Sequence, residues 1–194
     1  MTKKYKTILL DPPWPIVWKK SAQIGTKELQ YQTMPISEIC NLPINDLADA
    51  DCRIFMWTTN NFLPEALGII RNWKFRYRLL FVWCKNNGIG DRLRVATEYI
   101  VIADRGNPAG GDREQKMILN WLEAKKPNRH SQKPEIFYEI IEQISQSPRL
   151  EMFARDKEGL FPIREGWDVF GNESSSSIRL PTNEPLCGVG ENIT

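Results

Sequence analysis

Apolar residues fall into short continuous runs, separated by longer stretches with helical spacing. Lys6 to Leu10 (KTILL) is one such run, and it stops at Asp-Pro-Pro, where two prolines forbid continuation of a ladder. Cys52 to Thr58 (CRIFMWT), Leu79 to Cys84 (LLFVWC) and Glu98 to Ala103 (EYIVIA) are nearly unbroken. Unbroken rather than alternating hydrophobicity predicts strands buried on both faces, as in a parallel sheet. Leu150 to Ala154 (LEMFA) and Trp167 to Phe170 (WDVF) are two weaker strands.

Helices are predicted between them. Ser37 can cap a helix through Leu47. From Asn60 to Trp73, residues Leu63, Leu67 and Ile70 recur at helical spacing behind a cap at Asn60 or Asn61. Asp112 to Ala124 reads as a helix within a loop-like stretch. Pro134 to Ser145 is the clearest, with proline at its first position and Ile136, Phe137, Ile140, Ile141 and Ile144 in one stripe. Strands alternating with helices predict an α/β domain with a mostly parallel sheet and helices on both faces. The expected domain covers residues 1–173, and 174–194, polar and rich in Ser, Pro, Gly and Asn, reads as a flexible tail.

Composition narrows the function classes. At 194 residues, 41% hydrophobic and 26% charged, the chain suits one soluble globular domain. No run is long enough to span a bilayer, and the N-terminus carries no segment of signal-peptide length, so a cytoplasmic protein is expected. The four cysteines are dispersed and form no Cys-x-x-Cys pair, which argues against a disulfide framework or a cysteine zinc site. His130 is the single histidine, excluding a multi-histidine metal centre, so no metal is expected. A net charge of +2 is no polycation signature; a nucleic-acid partner would need a local basic patch.

Ligands of open α/β sheets bind beyond the carboxyl ends of strands. The residues following the predicted strands are Asp11-Pro12-Pro13-Trp14, Thr58-Thr59-Asn60-Asn61, Lys85-Asn86-Asn87-Gly88, Asp104-Arg105-Gly106, Arg155-Asp156-Lys157 and Gly171-Asn172-Glu173. Asp-Pro-Pro-Trp carries the most specific chemistry. The lone pair of an aromatic amine is delocalised into its ring, so the amine must be held until that lone pair aims at an electrophile. A carboxylate (Asp11) and a rigidly directed carbonyl (Pro12) can accept from its two hydrogens, and the following aromatic can pack against a base.

The order of motifs resembles the DPPW-type N(6)-adenine methyltransferases, the family that includes the catalytic subunit of the eukaryotic messenger-RNA adenosine methyltransferase. The resemblance rests on Asp11 to Trp14, Tyr31 to Met34, Phe55 to Thr59, Val82 to Lys85, Glu98, His130 to Pro134, Glu151 to Arg155 and Gly166-Trp167 leading to Gly171 to Glu173. It implies a Rossmann-like methyltransferase sheet with permuted motif order, catalytic strand first. The strand from Leu150 would then lie beside the first, with Trp167 to Phe170 on its far side.

The resemblance also implies S-adenosyl-L-methionine as cofactor and adenine as acceptor. Asp11, Pro12, Pro13 and Trp14 would form the catalytic turn, and Lys133 would pair with the cofactor's carboxylate. Arg155, Asn172 and Glu173 would meet its ribose and nearby groups, with Asp11 close to the sulfonium. Trp14, Trp18, Lys19 and Lys20 are the candidate substrate contacts. Glu98 is expected to pair with an arginine or line the pocket, and His130 to order the Lys133 loop or touch a ligand.

Basic residues at Arg71-Lys74-Arg76-Arg78, Arg92-Arg94, Arg105-Arg113-Lys116 and Lys125-Lys126-Arg129 are expected along a nucleic-acid groove, for DNA ahead of RNA. Solvated surface charge is the plainer alternative for any one cluster. A non-catalytic nucleic-acid-binding subunit is the alternative for the whole chain, and both homo- and heterodimeric association remain open.

Overall fold

Each continuous apolar run becomes a strand, and most are longer than the runs themselves. A computed structural model describes residues 3–16, 33–89, 92–111, 117–127, 132–154, 164–171 and 178. In chain order the strands are β1 (Tyr5–Leu10), β2 (Ala48–Thr58), β3 (Arg76–Ile89), β4 (Val95–Arg105), β5 (Trp121–Glu123), β6 (Arg149–Met152) and β7 (Trp167–Phe170). The helices are α1 (Ile36–Cys40), α2 (Ile44–Leu47), α3 (Leu63–Asn72) and α4 (Ile136–Ile144). The strands form one sheet in the order β5-β3-β4-β2-β1-β6-β7.

Alternate residues of these strands feed two cores, which is why the runs are apolar throughout. Ile8, Leu10, Ile54, Met56, Val101, Leu150 and Met152 meet Ile39, Ile44, Leu47, Ala66, Ile69 and Ile70 of α1 to α3 on one face. Leu9, Phe55, Trp57, Phe81, Trp83, Ile100 and Ile102 meet Phe137, Ile140 and Ile141 of α4 on the other. The expected α/β architecture, with helices on both faces of a mostly parallel sheet, is therefore observed. So is the order β1-β6-β7 that the family resemblance implied.

One strand runs backwards. β4 is antiparallel to both β2 and β3, while every other pairing is parallel. This corrects the expectation for Asp104-Arg105-Gly106, which lie at the amino edge of the sheet rather than beside Asp11. There buried Asp104 accepts from both Nε (2.7 Å) and Nη2 (3.0 Å) of half-buried Arg53, a bidentate pair. Gly106 turns the chain at φ +61°, where a Cβ would stand 2.4 Å from the Ala50 carbonyl oxygen. Glu98, near the start of β4, comes instead to the carboxyl edge.

Three helix expectations also change. The stretch from Ser37 to Leu47 is two short helices, because Pro43 has no N–H and disfavours helical backbone at Leu42. Neither Asn60 nor Asn61 caps α3; they form a 3-10 turn (Asn60–Phe62), and α3 starts at Leu63 with proline in its first turn. Of the helix expected over Asp112 to Ala124, the described residues 117–124 form no part: Trp121–Glu123 is an edge strand paired with β3, and 112–116 lie outside the described residues, as does nearly all of 174–194.

Candidate active site

β1 hands the chain to Asp11 at the middle of the carboxyl edge, where β2 lies on one side and β6 on the other. The Asp11 N–H still reaches the Met152 carbonyl at 3.5 Å, after which Pro12 and Pro13 end the ladder. The turn is closed by backbone bonds. Trp14 N–H donates to the Pro12 carbonyl, and Met34 N–H to the Pro13 carbonyl, each at 2.8 Å. The Pro12 oxygen thus keeps one lone pair for another donor.

Trp14 has a different job from the one expected of it. Its side chain is only 4% exposed, its indole N–H donates to the Trp57 carbonyl at 3.0 Å, and its ring stacks on Phe62 with centroids 5.3 Å apart. So placed, the ring offers no open face to a base. It nails the Asp-Pro-Pro turn to β2 and the start of α3, because a large amphipathic side chain there gains burial while its N–H is satisfied.

Lys133 arrives three residues before α4 and is the centre of a charge chain. Its Nζ stands 3.1 Å from Asp11 Oδ2 and 3.2 Å from Glu98 Oε2, and 5.0 Å from the centre of the Trp57 ring. The other oxygen of Glu98 accepts from Lys85, which lies 5.0 Å over the Trp83 ring. Asp11, Lys133, Glu98 and Lys85 thus link β1, the approach to α4, β4 and β3 along one edge, two negative charges against two positive. Of the two expectations for Glu98, pairing with an arginine or lining the pocket, the first is replaced by pairing with lysines.

Burial alone would push the Lys133 ammonium pKa down, but Asp11 and Glu98 outweigh it and hold the pKa above its usual value. Burial likewise works to raise the Glu98 carboxyl, and Lys133 with Lys85 draws it below the usual carboxylate range. Both groups are charged at neutral pH. An ammonium has three N–H donors, of which two face Asp11 and Glu98, and the third has no carboxylate partner among the described residues.

Glu151 is a further titratable group at this edge, present in the sequence reading only within the motif Glu151 to Arg155. It lies on β6 beside Leu9 and accepts from the Tyr138 hydroxyl at 2.7 Å. Burial pushes its carboxyl up to about 7, and the Asp11 charge adds to this against the Tyr138 hydrogen bond. The partner of Glu151 follows only from the strand register; an apolar run with one polar residue does not say what that residue faces.

Arg155, Asn172, Glu173, Trp18, Lys19, Lys20 and His130 lie outside the described residues. The basic clusters separate by edge. Arg71, Lys74, Arg76, Arg78 and Arg105 belong to the amino edge, away from Asp11, because β3 begins there and β4 ends there. Arg92, Arg94, Lys125 and Lys126 belong to the carboxyl edge.

The MT-A70 family model matches residues 5–173. The chain belongs to the MT-A70 family. It is also similar to the Type II methyltransferase M.MunI of Mycoplasma sp, 26% identical over 205 residues that cover 93% of this chain and 82% of that protein. This MT-A70 protein is a methyltransferase, and the family match spans its sheet from β1 to the end of β7. Among the described residues no helix is long and apolar enough to cross a membrane.

Proposed function

We propose that this MT-A70 protein transfers a methyl group from S-adenosylmethionine to the exocyclic N6 amine of adenine in nucleic acid, with DNA the favoured carrier. The observation that carries the reading is the Asp11 carboxyl at the switch point between β2 and β6, braced by Lys133 in a turn whose Pro12 carbonyl has a free lone pair.

When bound, the cofactor supplies a sulfonium methyl carbon as electrophile. Lys133 would hold its carboxylate through the third N–H, and Arg155, Asn172 and Glu173 are the proposed contacts to its ribose and neighbouring groups. Asp11 and the Pro12 carbonyl accept from the two amine hydrogens, which localises the nitrogen lone pair and aims it. The nitrogen gives up a proton only after it has become cationic, so the site needs no strong base. In duplex DNA the adenine must first leave the stack.

Tritium transfer from labelled cofactor to adenine-containing DNA and RNA tests the reading, with cofactor affinity measured by calorimetry. Asp11→Ala should lower incorporation by about a hundredfold or more. Equal incorporation by wild type and variant would remove Asp11 from the mechanism. No incorporation by wild type, with nucleic-acid binding intact, would favour the non-catalytic binding subunit.

A further inference from the structure

The hairpin between β3 and β4 outgrows the rest of the sheet. β2 ends at Thr58 opposite Tyr99, whereas β4 extends four residues further, to Val95, and pairs there with Ile89. At about 3.3 Å per residue the hairpin therefore rises about 13 Å above the end of β2. Its two strands close tightly at Gly88, where a Cβ would stand 2.8 Å from the Cβ of Arg94. The described residues nearest its tip, Arg92, Leu93 and Arg94, are all exposed.

A second basic pair stands next to it. Ala124 N–H donates to the Cys84 carbonyl at 3.2 Å, so Lys125 and Lys126 leave β5 where the hairpin leaves the sheet. Both are exposed. None of Arg92, Arg94, Lys125 and Lys126 pairs with a carboxylate among the described residues. The acidic neighbour on this end is Glu123, and Asp91 adjoins Arg92 in sequence. The lysines of the charge chain contrast with these four, since Lys85 and Lys133 are both committed to Glu98.

We propose that the β3–β4 hairpin and the Lys125-Lys126 segment form the surface that grips the phosphate backbone of the DNA substrate. This rests on the nucleic-acid reading above and names which of the basic clusters serves it. β4, β3 and β5 lie two, three and four strands from β1, about 10 to 19 Å along the edge from Asp11. Each strand of DNA presents a phosphate about every 3.4 Å of its axis, so the grip falls about three to six nucleotides from the target adenine. Contacts of this kind orient the substrate and carry no sequence information.

The experiment measures binding of the full chain to duplex DNA, single-stranded DNA and RNA of one sequence by fluorescence anisotropy across a salt series. Its variants are Arg92→Ala/Arg94→Ala, Lys125→Ala/Lys126→Ala, and an amino-edge control, Arg71→Ala/Arg76→Ala. Each carboxyl-edge pair should weaken DNA binding and lower the slope of log affinity against log salt by about 2 for duplex, while the control leaves both unchanged.

Unchanged affinity in the carboxyl-edge variants, or an equal loss in the control, would overturn the proposal. A loss confined to RNA would overturn the assignment to DNA. Leu93, 88% exposed between its arginines, also suits a second protein copy. Light scattering on the same samples decides that point: a binding loss accompanied by dissociation of a dimer assigns the hairpin to self-association and sinks the proposal. Tritium incorporation is read separately, so a silent methyltransferase with salt-dependent, hairpin-dependent binding leaves the grip standing while the proposed reaction fails.

Discussion

Glu151 shows how one carboxyl can report on the site. Its folded-state pKa, raised to about 7, means that the folded protein holds its proton more tightly than the unfolded chain does. Stability from this group is full below about 4.5 and is lost as pH rises through 7, by up to about 3 kcal/mol. Glu98 and Asp168, both held below the usual carboxylate range, act in the opposite sense: their contribution is lost only on acidification below that range. Glu151→Gln keeps an acceptor for the Tyr138 hydroxyl and removes the titration. The variant should therefore be more stable than wild type at pH 8 and show a flatter melting-temperature profile between pH 5 and 8. Parallel profiles would mean that Glu151 carries no such shift. The sequence displays this glutamate beside Met152 and Phe153 but not its burial, which depends on β6 lying against β1 and under α4.

Among the elements, α4 is the one whose stripe was most legible and whose packing is most demanding. Phe137 meets Trp57, Phe81 and Trp83 edge-on, with ring centroids 4.9, 5.7 and 5.9 Å away. Phe137→Ala would leave a cavity among three aromatic rings and should cost about 3–5 kcal/mol, read as a fall in the urea midpoint. Because Trp57 also faces the Lys133 ammonium, the same variant should weaken cofactor binding beyond what its unfolded fraction explains. Elsewhere, local patterns misled where tertiary pairing overrode them. Trp121–Glu123 falls within the stretch expected to be a helix yet pairs with β3, since an edge strand needs only three residues and one partner. The proline at 43 was visible in the sequence, and it alone suffices to split the stretch into α1 and α2.

At the scale of the whole molecule, the two edges of the sheet separate folding from chemistry. Arg105 at the amino edge donates to Asn45 and to the Trp73 carbonyl, and its guanidinium lies 4.4 Å over the Phe75 ring. Arg105→Met should lower stability by about 1–3 kcal/mol, since it leaves the Trp73 carbonyl and Asn45 without a donor, and should leave methyl transfer per folded molecule unchanged. A fall in specific activity would show that the edges are coupled. What the sequence determined by itself was the α/β class, the strand cores, the family and the Asp-Pro-Pro turn, because each is written in contiguous residues: apolar runs, prolines, and motifs in fixed order. The tertiary structure alone decided the direction of β4, and with it that Glu98 rather than Asp104 stands near Asp11. It decided too that Trp14 is an anchor, and which basic residues share an edge with Asp11. Those outcomes depend on strand direction and register, which a run of apolar residues leaves undetermined because it reads the same in either direction.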